Sequence, residues 1–381
     1  MGTRSVVVVG AGVFGAWSAL RLARDGWQVT LVDAYGPANG RASSADHSRV
    51  VRAGYGRDEI YTRWATASLT GWHWLAKTSG HRLVEESGVL FLGAHGSPHL
   101  DETAAVFRDL GVEHQRLSAA EVAARFPQLG VIGLGDALYE PRAGAIRARQ
   151  AVAAAVAVAR AHGVEYLTAR VRPLDETQTT PTVETTDGTR LEADRYVLAA
   201  GPWLAGLLPL AVGGRIRVTR QELLYFGVPA GDARFALDAL PVWIDFGAGF
   251  YGIPDLDAHG FKVGIDRHGP SIEPDTAERI VQREVVAEAR EFLARRFPAL
   301  AAAPVVDARV CQYENTATGD FLIDTHPTWE QVWIVGGGSG HGFKHGPAVG
   351  THVADLLAGR AAVEPRFALA GKSSTAARAV Y

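Results

Sequence analysis

"SVVVVGAGVFGAWSALRLARDGWQVTLVD", residues 5–33, decides how this chain is read. Val6 to Val9 are a short β-branched run with the length of a buried strand. Gly10, Gly12 and Gly15 follow at once, in the spacing G-x-G-x-x-G. Ala16, Leu20, Leu22 and Ala23 then outline the apolar face of a helix that Gly26 stops. Gln28 to Val32 read as a second strand, closed by Asp33. Each part has a physical task. Gly10 permits the tight turn, Gly12 lets a pyrophosphate approach the backbone, and Gly15 lets helix and strand pack closely. The phosphates would rest on the positive helix N-terminus, which makes Val13 and Phe14 cofactor-binding candidates with the glycines. Asp33, 23 residues after Gly10, stands where it would accept hydrogen bonds from a ribose. The pattern predicts a dinucleotide site; a glycine-rich turn without a ligand is the alternative. It does not separate NAD from FAD. No arginine follows the second strand to receive an NADP phosphate; Ala34-Tyr35-Gly36-Pro37 stand there instead.

Beyond this unit, "GPANGRASSADHSRVVRAGYG" (36–56) reads as a functional loop with little apolar periodicity until Val50. Residues 57–77 read as a helix with Trp64, Leu69, Trp72 and Leu75 inward, and 88–94 as a strand. Helices are expected near 99–110, 118–126, 145–163 and 275–296, the third ended by Gly163. Asp187-Gly188 marks a hairpin turn. "IRVTRQELLYFGVP", "PVWIDFGAGFYGIP" and "GFKVGID" alternate like strands of an antiparallel sheet. "VWIVGGGSGHGFKHGPAVGTHVADLLAG" (332–359) is again strand, glycine turn and helix. No internal repeat or long linker interrupts the chain. The expected class is therefore α/β, with a Rossmann-type dinucleotide domain (1–85, 145–210 and 305–381) interrupted by a substrate domain (86–144 and 211–304). The substrate domain is an α+β unit on a mostly antiparallel sheet.

The 381 residues are 47% hydrophobic and 21% charged, with a formal net charge of −3, which favours neither nucleic acid nor an anionic membrane as partner. The N-terminal valine run is too short for a signal-peptide core, and no apolar run approaches a membrane span. One cysteine, Cys311, fits a reducing compartment, and a cytoplasmic protein is expected. The final "GKSSTAARAVY" reads as a loosely ordered tail. Cys311 by residue type is a small buried hydrophobe.

At "CQYENTATGDFLID" (311–324) and "GGGSGHGFKHGPAVG" (336–350) the chain resembles the monomeric sarcosine oxidases and their relatives, FAD-dependent amine oxidases of the D-amino-acid oxidase superfamily. The resemblance runs from about residue 5 to 360. It implies FAD-binding and catalytic domains, and no metal. It also implies oxidation of a secondary or tertiary amino acid, or a cyclic imino acid, to an imine by hydride transfer to flavin N5, with O2 reduced to hydrogen peroxide. A monomer with only small-molecule partners is implied as well. Residue by residue, it makes Cys311 the point where FAD is attached covalently, with Arg309 expected nearby to favour the thiolate. Arg52 and Lys344 would hold the substrate carboxylate, one as a planar fork and one as a point charge. Arg49 would lie close to the flavin. Gly340 and Gly342, with Phe343, would face the flavin pyrimidine, and Ser43 and Ser44 the FAD phosphates. Val171 would contact adenine. Lys262 would activate oxygen by stabilising developing superoxide; its plainer role would be a strand lysine paired with Asp266. Tyr251 and Tyr313 would be pocket aromatics, or ordinary core.

The chain also departs from the resemblance. Ala45 stands for one expected active-site histidine, with His47 two residues on, and Asp266 stands for the other. Val242 replaces a pocket methionine, beside Trp243. These changes make a bulkier or more basic amine than sarcosine the expected substrate. Two other readings remain open: an amine dehydrogenase that hands electrons to another acceptor, and a flavin- or NAD-binding protein without turnover.

Overall fold

The structure is a computed structural model that describes residues 4–372. The opening valines form the strand Ser5–Val9, and its alternation places them on two faces that are both covered. Val6 and Val8 enter one core with the helix Val13–Arg24, while Val7 and Val9 enter another with the hairpin strands Val183–Glu184 and Arg190–Leu191. This strand lies inside a six-stranded sheet. Its spatial order is Leu322–Thr325, Val332–Gly336, Arg195–Leu198, Ser5–Val9, Gln28–Asp33 and Glu165–Thr168. All neighbours are parallel except the first pair. The helices Ala148–Ala161 and Gly346–Leu357 pack against Val13–Arg24.

The glycine turn has the expected geometry. Gly10 has φ +105°, and a Cβ there would stand 2.3 Å from the Ala199 carbonyl oxygen. A Cβ on Gly15 would stand 1.8 Å from the Gly10 carbonyl oxygen, so the helix can approach the strand only because that atom is missing.

The second unit is an eight-stranded sheet. Its order is Val305–Thr316, Ile216–Phe226, Phe261–Ile265, Phe250–Ile253, Val242–Asp245, Val89–Gly93, Asp136–Glu140 and Gln115–Ser118. It is antiparallel apart from the neighbours Val242–Asp245 and Val89–Gly93. Its apolar face packs Trp243 and Phe261 against Phe292 and Leu293 of the helix Arg283–Arg296. A small sheet of Ser48–Val51, Gly144–Arg147 and Val84–Glu85 joins the loop after Asp33 to the rest. No helix among the described residues is long and apolar enough to cross a membrane.

Some boundaries differ from the sequence reading. The strand Val305–Thr316 was placed with the dinucleotide unit, yet it is hydrogen-bonded along Ile216–Phe226 in the large sheet. Residues 145–147 belong to a strand, because pairing with Ser48–Val51 outweighs their helical periodicity. The helix expected from 275 begins at Arg283, since the preceding segment is tied to other elements. There Asp275 accepts from the Tyr35 hydroxyl at 2.7 Å and Trp203 Nε1 at 2.9 Å. The loose tail falls mostly on 373–381, outside the described residues. Lys372 is not loose: it is buried, and its Nζ donates to the Arg366 carbonyl at 2.6 Å.

Candidate active site

Two cavities meet between the sheets. The larger, about 600 Å³, begins at the glycine turn: Gly10, Gly12, Val13, Phe14 and Asp33 line it, with Ser43, Ser44 and Val171. The backbone there is held open from within. Asp33 Oδ2 accepts from Ala11 N at 2.8 Å, and Ser44 Oγ from Val13 N at 3.0 Å. Gly15 does not line the cavity; its task is the close packing described above. Gly340 and Gly342 line the far end. A Cβ at Gly340 would stand 2.6 Å from the Tyr313 ring, so a side chain there would have to displace it.

The smaller cavity, about 70 Å³, gathers Arg52, Lys344, Asp266, Tyr251 and Cys311. Arg49, Tyr313, Gly340 and Phe343 line both cavities and mark where they join. Of the expected site residues, three line neither: Gly15, whose task is packing, Val242 and Lys262. Val242 is fully buried in the main core, and Ile244, two residues on along the same face, takes the cavity position expected of it. Lys262 is buried beside the junction without reaching either space.

Lys262 is not paired with Asp266. Its Nζ meets Asp46 Oδ2 at 2.5 Å and the Ser48 carbonyl at 2.7 Å. Asp46 is fully buried and also accepts from Arg49 Nη1 at 2.6 Å and the Tyr225 hydroxyl at 2.6 Å. Burial would raise its carboxyl, but Lys262 and Arg49 hold it below the usual range. Burial in turn pushes Lys262 down to about 8, against the pull of Asp46. One carboxylate thus anchors two cations, leaving a net positive charge beside the junction. Asp46 had no signal in the sequence: it is an acid in a loop without periodicity. The neighbouring His47 turns away and stacks on His259, with ring centroids 4.4 Å apart, so it does not replace the missing histidine.

Cys311 lies opposite Gln221 on the long strand Val305–Thr316, buried, with Arg49 Nη2 3.5 Å from its Sγ. The cation beside it is therefore Arg49; Arg309 is engaged with Asp307 at 3.0 Å. Tyr251 and Tyr313 both have hydroxyls raised chiefly by burial.

Arg52 and Lys344 are buried cations a short way from the junction. Burial, with Arg52 adding repulsion, lowers Lys344 well below an ordinary lysine. Two carboxyls stand near them. Asp266 faces the cavity, and burial raises it to about 7 against the pull of Arg52 and Lys344. Glu140 is also raised by burial to about 7, and accepts from Ala53 N at 3.0 Å. Glu140, Asp46 and Glu314 were all missed in the sequence. Glu314 lines the larger cavity, is raised by burial to about 7, and leaves Oε2 without a hydrogen-bond partner among the described residues.

The residues present fit a flavin dinucleotide. A glycine cradle, in which Gly10 and Gly15 leave no room for a Cβ, opens a long cavity, which ends at a junction bordered by a buried cysteine, two tyrosines and an arginine. Comparison with known proteins agrees. A family model described as FAD dependent oxidoreductase (DAO) matches residues 5–356. The chain is 30% identical over 360 residues to a monomeric sarcosine oxidase of Bacillus sp. (strain NS-129), covering 92% of each protein. It is 28% identical to an N-methyl-L-tryptophan oxidase of Citrobacter koseri, covering 93% of this chain and 95% of that one. Among solved structures, an L-proline dehydrogenase from P. horikoshii superposes with a TM-score of 0.85 at 21% identity, covering 99% of both chains. A fructosamine oxidase from Aspergillus fumigatus superposes with a TM-score of 0.82 at 23% identity, covering 98% of this chain and 91% of that one. These last two show the shared fold. From its glycine turn to its last helix, the chain belongs to the DAO family of FAD-dependent oxidoreductases, in the branch of the monomeric sarcosine oxidases.

Proposed function

We propose that this protein oxidises the C–N bond of an amino acid with a secondary or tertiary nitrogen, cyclic imino acids included, and that sarcosine is not its best substrate. The observation that carries this reading is one small cavity holding two buried cations and a carboxyl, Arg52, Lys344 and Asp266, beside the dinucleotide cavity.

FAD, when bound, would accept the electron pair of the amine and pass it to O2 to give peroxide. The chain's own residues prepare that step. Arg52 and Lys344 hold the substrate carboxylate, which fixes the α-carbon and nitrogen relative to the junction. Asp266 faces the nitrogen and takes up a proton from the substrate ammonium, leaving the neutral amine that can be oxidised. A carboxyl raised to about 7 is suited to that exchange near neutral pH. It also favours a more basic or larger amine than sarcosine, since a carboxylate stands in place of the expected histidine. Tyr251, Tyr313 and Phe343 exclude water. Lys262, anchored by Asp46, supplies the fixed positive charge for oxygen reduction. Cys311, beside the Arg49 guanidinium, is the point of covalent attachment to FAD.

A peroxide-coupled screen of N-methyl, cyclic and primary amino acids tests this. The expected result is turnover of a substrate larger or more basic than sarcosine. In Lys262→Met, anaerobic reduction by that substrate should persist while reoxidation by O2 slows at least tenfold. Best turnover on sarcosine would sink the specificity claim. A reduced enzyme that is sluggish with air in its wild-type form would make it a dehydrogenase using another acceptor.

A further inference from the structure

Tyr55 is not among the site residues expected from the sequence, yet both cations of the small cavity are built around it. Its ring is fully buried. The Arg52 guanidinium lies over that ring at 4.3 Å from the centroid, and Arg52 Nη1 donates to the Gly54 carbonyl. Lys344 Nζ donates to the Tyr55 hydroxyl at 2.8 Å and to the His341 carbonyl at 2.9 Å. One residue thus touches the flat face of one cation and the donor atom of the other.

The hydroxyl is itself fixed. His345 Nε2 lies 2.8 Å from it and His341 Nδ1 3.3 Å. Donor arithmetic assigns the protons. His341 Nε2 faces the Gly319 carbonyl at 2.9 Å, which can only accept, so the proton of His341 is on Nε2 and its Nδ1 is an acceptor. The Tyr55 hydroxyl then donates to His341 Nδ1 and accepts from Lys344 and from His345 Nε2–H. His345 Nδ1 has no partner among the described residues, which suits a bare lone pair better than a buried N–H. Burial, with Lys344 adding repulsion, lowers His345 well below an ordinary histidine, in keeping with two neutral rings.

We propose that Tyr55 is the positioning residue of the carboxylate clamp. Its ring aligns the Arg52 guanidinium, its hydroxyl aims the Lys344 ammonium, and the His341–His345 pair locks that hydroxyl in place. The proposal rests on the reading that Arg52 and Lys344 hold a carboxylate, and it adds what gives the two cations one fixed spacing. Without the hydroxyl, Lys344 loses its aim, so a carboxylate is bound less well while a neutral isostere is unaffected in comparison.

The test uses holoenzyme, with acetate and acetamide as probes followed through the change they cause in the flavin spectrum. Wild type should prefer acetate. In Tyr55→Phe, which keeps the ring, acetate affinity should fall roughly tenfold, the scale of one hydrogen bond to a charged group, and the acetate-to-acetamide preference should fall with it. On the amino-acid substrate, KM should rise more than kcat falls. A second pair of variants leaves Tyr55 in place. His345→Gln, which still offers an N–H, should keep the preference for acetate, whereas His345→Leu should lose it. If Tyr55→Phe weakens acetate and acetamide equally, or neither, or if His345→Leu keeps the preference, Tyr55 is only packing and the proposal is overturned. If wild type does not distinguish acetate from acetamide, the carboxylate reading of Arg52 and Lys344 fails first, a different result from either.

Discussion

Cys311 shows how little a single side chain says by itself. Its own type gives only a small buried residue, and its place gives a sulfur 3.5 Å from a guanidinium at the edge of two joined cavities. Replacing it with alanine should leave FAD that acid precipitation releases, where the parent protein's pellet stays yellow; a parent whose colour also washes out would return Cys311 to simple packing. Residues fixed by a local pattern, such as Gly10 and Asp33, were legible because the chemistry that demands them lies within thirty positions. Asp46 was not. Its partners Lys262 and Tyr225 lie 216 and 179 residues away, and no periodicity in its loop announces them. For the same reason Lys262 was given Asp266 as an alternative partner: the two sit on one strand face in sequence, but a charge from another element wins the contact.

At the scale of elements, the glycine turn divides its labour in a way that two substitutions can separate. Gly15→Ala places a methyl 1.8 Å from the Gly10 carbonyl oxygen, so the helix Val13–Arg24 must leave its strand. Loss of soluble protein, or a melting temperature lowered by several degrees, is expected. Gly12→Ala meets nothing nearer than Ser44 Oγ at 3.5 Å, so the fold should persist. Its methyl would instead occupy the space a pyrophosphate needs, and folded but colourless protein is the expected result, read from melting and visible absorbance together. The order of strand, turn and helix was legible here because each piece obeys a short period. The place of Val305–Thr316 was not, because a strand's alternation says which residues share a face and nothing about which sheet receives it.

For the molecule as a whole, three buried carboxyls, Glu140, Asp266 and Glu314, are each raised to about 7. Unfolded, they would ionise near pH 4, so the folded state holds protons that the unfolded state releases between about pH 4 and 7. Stability from each is therefore present at low pH and lost as pH rises through that window. Histidines lowered by burial, His99 to about 4 among them, act with the opposite sign over an overlapping range, so the wild-type profile is a sum that hides its parts. The difference between variants is cleaner. Measured in a Cys311→Ala background from which the flavin has been removed, the melting temperature of Asp266→Asn relative to the Asp266 parent should climb between pH 5 and pH 8, because only the parent carries the cost of ionising a buried acid. A constant difference across that range would count against a raised Asp266.

The larger cavity is lined from Val9 near one end of the chain to Phe343 near the other, with wall residues from both sheets between them. A ribosome releasing this chain exposes the glycine cradle first and Tyr313, Gly340 and Phe343 only long afterwards. The nascent N-terminal unit can offer a phosphate its turn, but it cannot enclose a ring system whose remaining walls have not yet been made. Cofactor capture must thus wait until the chain has been made through Phe343, and a shortage of riboflavin would leave behind folded, colourless molecules rather than truncated ones.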